Sequence, residues 1–115
     1  MKIDDVIQTS LLYDFYGSLL TDRQREVMEL YYGENLSLSE IAAEFSISRQ
    51  GVHDLIKRCD RILADYESKL HLVERFSSTK RMAQEIIELA EQGDGKTEET
   101  LREIVRLGRE LLEEL

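Results

Sequence analysis

Ser48, Arg49, Gln50 and His53 are the side chains whose types and spacing suit a definite chemistry. A guanidinium pairs with two acceptors on the major-groove edge of guanine, and a carboxamide with the acceptor and donor of adenine, each through two hydrogen bonds. Serine and histidine add single donors or acceptors. On a helix these four positions fall in the first turns, the part of a docked helix that contacts base edges. Lys57, Arg58 and Arg61 follow, and the chemistry of such cations is phosphate neutralisation. The expectation is DNA base contact by Ser48, Arg49, Gln50 and His53, and DNA phosphate contact by Lys57, Arg58 and Arg61. For each cation the plain alternative is a solvated helix face.

Catalytic chemistry has little to work with. There is one cysteine, Cys59, and there are two histidines, His53 and His71. They form no nucleophile–base motif and no metal-ligand spacing, and no phosphate-binding loop is visible. We expect no enzyme, no catalytic residue, no metal, no cofactor and no small-molecule substrate. Cys59 reads as a small buried apolar residue.

The elements that must position residues 48–61 are legible from their start signals. Ile3, Val6, Ile7, Leu11 and Phe15 recur at helical spacing, which predicts a first helix over about residues 3–16, stopped at Gly17. Thr21 and Gln24 have the spacing of a capping box, as do Ser37 and Glu40. They predict a second helix with Val27, Met28, Leu30 and Tyr31 inward, and a short third with Leu38, Ile41, Ala42 and Phe45 inward. Gly33-Glu34-Asn35 separates them as a turn. Ser46-Ile47 makes a tight turn, and Ser48 caps a fourth helix. In that helix Val52, Leu55, Ile56, Cys59, Ile62 and Leu63 form the core side. Arg49, Gln50, His53, Asp54, Lys57 and Arg61 lie opposite.

Charge sets a condition on this reading. The 115 residues carry a net −9. Residues 1–45 hold three bases and nine acids, whereas residues 46–61 hold four bases and two acids. The candidate recognition helix is locally basic, but one copy offers few phosphate contacts and the acidic body repels the duplex beyond them. The acidic start lacks the apolar run of a signal peptide, and no apolar stretch approaches the ~20 residues that span a bilayer. The chain is expected to be cytoplasmic, without a membrane partner.

After Leu63 no helix breaker appears until Gly93, and one or two helices are compatible with residues 48–92. Gly93-Asp94-Gly95 is a turn signal, and Thr97 caps a last helix. There Leu101, Ile104, Gly108, Leu111 and Leu115 alternate at spacings of three and four, as in a coiled-coil seam. Two amphipathic helices cannot bury such broad faces on each other alone. A homodimer interface through these five residues is preferred, with an intramolecular bundle as the alternative. The expected organisation is a helix-turn-helix domain over 1–65 and C-terminal amphipathic helices over 66–115. The fold class is all-α: a three- to four-helix helix-turn-helix domain of winged-helix-like or sigma region four type, with a C-terminal helical hairpin used for dimerisation.

Leu20 to Leu63 resembles region four of bacterial sigma factors, the part that binds promoter DNA. The similar elements are Asp22-Arg23-Gln24-Arg25-Glu26-Val27, Tyr32-Gly33-Glu34, Leu36 through Ala42, and Ile47-Ser48-Arg49-Gln50. The whole chain is similar to the YlxM family of short acidic helix-turn-helix proteins, through Leu11-Leu12-Tyr13-Asp14-Phe15-Tyr16, Leu30-Tyr31-Tyr32 and the Glu- and Leu-rich tail. That family's gene typically lies beside those of the signal recognition particle and its receptor. The resemblance implies a regulatory or accessory role in that pathway, with double-stranded DNA or a particle component as partner. Two departures from the sigma pattern stand out. Ser46 occupies a turn position usually held by glycine, at a cost of ~1 kcal/mol. Asp54 lies on the side that would face the groove, where it can accept from cytosine yet also meets phosphates.

Overall fold

The computed structural model describes residues 3–92 and 97–114, with side chains from Val6 onward at the N-terminal end. All of its regular structure is helical, and there is no strand among the described residues. Six α-helices follow one another: α1 Ile3–Tyr16, α2 Asp22–Met28, α3 Leu38–Phe45, α4 Arg49–Leu70, α5 Leu72–Glu91 and α6 Glu98–Glu114. They fall in two compact units, residues 1–71 and 72–115. The fourth helix runs unbroken through residue 65 and ends where His71 turns left-handed, φ 56°, its N–H donating to the Glu67 carbonyl at 2.9 Å. Residues 48–92 are therefore two helices.

In the first unit each helix start follows its local signal. Thr21 and Gln24 form a complete capping box, as do Ser37 and Glu40. The backbone and hydroxyl bonds from Ser37 hold the Glu40 carboxyl below its ordinary value. These caps satisfy N–H groups that the first turn of a helix leaves without partners. Gly17–Leu19 makes one 3₁₀ turn after α1. The second helix widens into a π-helical segment, Glu29–Gly33, where the Glu34 N–H reaches back to the Glu29 carbonyl at 3.0 Å.

The core of this unit is Leu12, Tyr16, Leu20, Val27, Met28, Ile41, Ala42, Val52, Ile56, Cys59 and Leu63. The expected faces of α2, α3 and α4 supply it, with Leu30, Tyr31, Leu38, Phe45, Leu55 and Ile62 half-buried at its margin. The first helix spans Ile3–Tyr16, as its spacing predicts. Ile7 is 54% exposed and Val6 and Phe15 are also exposed, while Leu12 and Tyr16 are the buried pair. The buried Tyr16 has its polar end satisfied. Tyr16 stacks on Tyr66 at 5.9 Å and its hydroxyl donates to Glu67 at 2.5 Å, so a large ring is buried without a stranded O–H.

In the second unit α5 and α6 pack on each other. Thr97 caps α6, its hydroxyl accepting from the Thr100 N–H at 3.2 Å. The buried residue of α6 is Leu107, which lies outside the expected seam. Ile104, Gly108 and Leu111 are half-buried and Leu101 is exposed. Leu115 and the turn expected at residues 93–95 lie outside the described residues.

Candidate nucleic-acid interface

The turn between α3 and α4 sets the direction of the fourth helix. Ser46 is left-handed, φ 54° and ψ 42°. Its N–H donates to the Ala43 carbonyl at 3.4 Å, and the Ile47 N–H to Ala42 at 3.1 Å. This pair of bonds is a Schellman closure, normally built on glycine. Its strain is of the order expected for an L-residue, ~1 kcal/mol. Ser48 then returns to extended backbone and its Oγ accepts the Gly51 N–H at 2.9 Å. Arg23 braces the same corner. Its guanidinium stacks over the Phe45 ring at 5.1 Å and donates to the Phe45 carbonyl at 3.4 Å, at the end of α3. No local pattern pointed to Arg23, because its partner is 22 residues away.

From this corner the candidate residues fan around the solvent side of α4. Ser48, Arg49, Gln50, His53, Lys57, Arg58 and Arg61 are all exposed. At ~100° per residue, Arg49, His53 and Lys57 form one ascending line, while Gln50, Asp54 and Arg61 form a second, further from the core. Arg58 lies on the far flank. The first line borders a groove walled by Tyr31, Tyr32 and Leu38. Tyr31 and Tyr32 meet edge to face at 4.9 Å.

Not every one of these side chains is idle. The Ser48 hydroxyl is committed to its cap. The Gln50 amide donates to Asp54 Oδ1 at 2.9 Å, and His53 Nδ1 lies 3.6 Å from the same oxygen. Arg49 makes no hydrogen bond or ion pair among the described residues. Below Lys57, the Tyr32 hydroxyl donates to Asp60 at 3.3 Å. Burial raises the Asp60 carboxyl, against the opposing pull of Tyr32 and Lys57, and burial beside Asp60 pushes the Tyr32 hydroxyl up to about 12. The Gln50–Asp54 bond had a sequence signal in its four-residue spacing. The Tyr32–Asp60 bond had none.

Among the described residues no group of three or more His, Cys, Asp or Glu is placed to hold a metal ion. No described helix is long and apolar enough to cross a membrane.

A capped helix, a tight left-handed turn and a second capped helix with an exposed polar face define a helix-turn-helix protein. Residues 3–104 match the family model described as "Putative helix-turn-helix protein, YlxM / p13 like". A UPF0122 protein of Desulforamulus reducens is 52% identical over 80 residues, covering 70% of this chain and 68% of its own length. One of Clostridium botulinum is 55% identical over 73 residues, 64% and 67% of the two chains. One of Streptococcus gordonii is 46% identical over 88 residues, 76% and 80%. The chain belongs to the UPF0122 family of YlxM/p13-like proteins.

Proposed function

We propose that this chain is a DNA-binding regulator that reads duplex DNA through the first turns of α4. The observation that carries the reading is the exposed face of α4, held at a fixed angle by Ser46 and Ser48 in a locally basic part of an acidic chain. Arg49 is the guanine reader and Gln50 the adenine reader, with Ser48 and His53 adding single contacts. Lys57, Arg58 and Arg61 hold phosphates. Gly51 keeps the helix slim beside Ser48.

Few phosphate contacts from one copy favour a homodimer, its two α4 helices ~34 Å apart to meet successive major grooves. The C-terminal helix supplies its interface, through Leu101, Ile104, Gly108, Leu111 and Leu115. Light scattering on Gly108→Glu and Leu111→Asp checks this: a dimer mass that persists in both variants rules the seam out. The target genes are those of the signal recognition particle pathway, in which the protein is a regulator.

The test is titration of labelled duplex from upstream of the protein's own gene, across a salt series, with Arg49→Ala alongside. Saturable binding that weakens with salt, and loses site preference in the variant, is expected. Binding no tighter than ~10⁻⁴ M at low salt would end the DNA reading.

One observation favours a second reading. Leu101, Val105 and Leu112 are 50%, 51% and 69% exposed along one side of α6, on an acidic chain. An accessory module that binds a basic protein of the signal recognition particle would use that side. Analytical ultracentrifugation with an excess of the particle's GTPase tests it, and two unshifted boundaries would exclude it.

A further inference from the structure

The hydrogen bond between Gln50 and Asp54 has a consequence for which base is read and how well. A carboxamide has one acceptor oxygen and two N–H donors. Reading adenine takes the oxygen and one N–H. In this structure the amide nitrogen of Gln50 donates to Asp54 Oδ1 at 2.9 Å. That bond consumes one N–H, and adenine reading requires it to be the one trans to the oxygen, so that the oxygen and the cis N–H remain available. It also selects one of the two orientations that the end of a glutamine side chain otherwise samples about equally. The amide is thus oriented before any DNA arrives, and the ordering cost of a flexible side chain is reduced.

Asp54 has a second effect of opposite sign. It is exposed, and it sits on the outer line of α4 with Gln50 and Arg61. A carboxylate there repels phosphates of every sequence alike. His53 Nδ1, 3.6 Å from the same Oδ1, is the nearest group that can carry an opposing charge. No protein donor among the described residues reaches Oδ2.

We propose that Asp54 is the specificity-determining residue of this interface: it positions the Gln50 amide for an A·T pair and lowers affinity for all other DNA. This rests on the DNA reading above. Asp54 touches Gln50 and acts on the base through it, so it is a positioning residue.

The two effects separate by substitution. Asp54→Asn keeps an acceptor oxygen for the Gln50 amide and removes the charge. Asp54→Ala removes both. The full chain and both variants are first matched for helicity and unfolding midpoint, then each is run against a randomised duplex library and a non-specific duplex. The wild-type chain is expected to enrich a site with an A·T pair that Gln50→Ala abolishes. Both Asp54 variants are expected to bind the non-specific duplex about fivefold more tightly at low salt, the scale of one exposed charge near a phosphate. Asp54→Ala is expected to lose about tenfold of its preference at the A·T pair, whereas Asp54→Asn retains it. Enrichment by the wild-type chain with the A·T preference intact in Asp54→Ala overturns the positioning role and leaves the DNA reading standing. Equal loss in Asp54→Asn also overturns it, because charge and not the hydrogen bond would then be responsible. If the wild-type chain enriches nothing, the DNA reading fails and this inference fails with it.

Discussion

Ser46 tests the geometry that aims the fourth helix. It is exposed, and its backbone is left-handed with φ 54° and ψ 42°. Such a conformation costs an L-residue about 1–2 kcal/mol, and glycine almost nothing. Replacing Ser46 by glycine removes that cost but loosens the unfolded chain, which subtracts about 0.4–1 kcal/mol. The net expectation is a gain of about 0.5 kcal/mol for Ser46→Gly. Valine at the same position brings a branched Cβ into the left-handed region, where such residues are outliers. Ser46→Val is therefore expected to lose more than ~1 kcal/mol. Urea unfolding followed by helicity measures both, with an unchanged slope showing that the same surface is exposed in each variant. DNA titration of the two proteins then reports whether a relaxed turn still presents Arg49 and Gln50. The reasoning is refuted if Ser46→Val is as stable as wild type, or if Ser46→Gly is clearly less stable, because the side chain would then be contributing more than the backbone strain costs.

Gly108 sits inside α6, and a Cβ there would meet nothing within 4 Å. Gly108→Ala should raise the stability of the single chain by about 1 kcal/mol, read as a higher urea midpoint at low protein concentration; a loss that grows with protein concentration is the result expected if the proposed dimer seam packs on that position. Cys59 is fully buried, and burial pushes its thiol up to about 11. Its reaction with an aromatic disulfide at mildly alkaline pH should track unfolding, and rapid labelling of the native protein would contradict the packing. Asp60 has a folded-state pKa above its unfolded value, so the folded chain binds more protons and stability falls as pH rises through that window. Asp60→Asn should accordingly stabilise the protein at neutral pH and do so less in acid, with Tyr32 still able to donate to the amide oxygen. Equal effects at both pH values would show that its ionisation is not what matters.

How much of this was legible beforehand depends on the range of the interaction responsible. The caps at Thr21, Ser37, Ser48 and Thr97 each join a side chain to a backbone N–H three residues on, so a short window of residues contains the whole interaction. The left-handed Ser46 was likewise implied by its place between two helices. The buried faces of α2, α3 and α4 followed from periodicity, because a helix packed on one side repeats its apolar positions at 3.6 residues. Periodicity also placed the first helix, but not its buried face. Its apolar residues offer more than one stripe, and the choice of Leu12 and Tyr16 was made by Tyr66 and Glu67, some fifty residues away.

The candidate interface divides in the same way. Which residues lie on the solvent side of α4 was a matter of spacing, and Ser48, Arg49, Gln50, His53, Lys57, Arg58 and Arg61 are all there. The four-residue spacing of Gln50 and Asp54 was a signal of their bond, whereas the bracing of the turn by Arg23 and the seating of Tyr32 on Asp60 depend on where distant side chains end up. Local hydrogen bonding and helical periodicity by themselves determined that this chain is an all-α helix-turn-helix protein and where α1, α2, α3, α4 and α6 begin. Only tertiary packing decided which stripe of α1 is buried and that Leu107 is the buried residue of α6, because each depends on surfaces that meet only once the chain has folded.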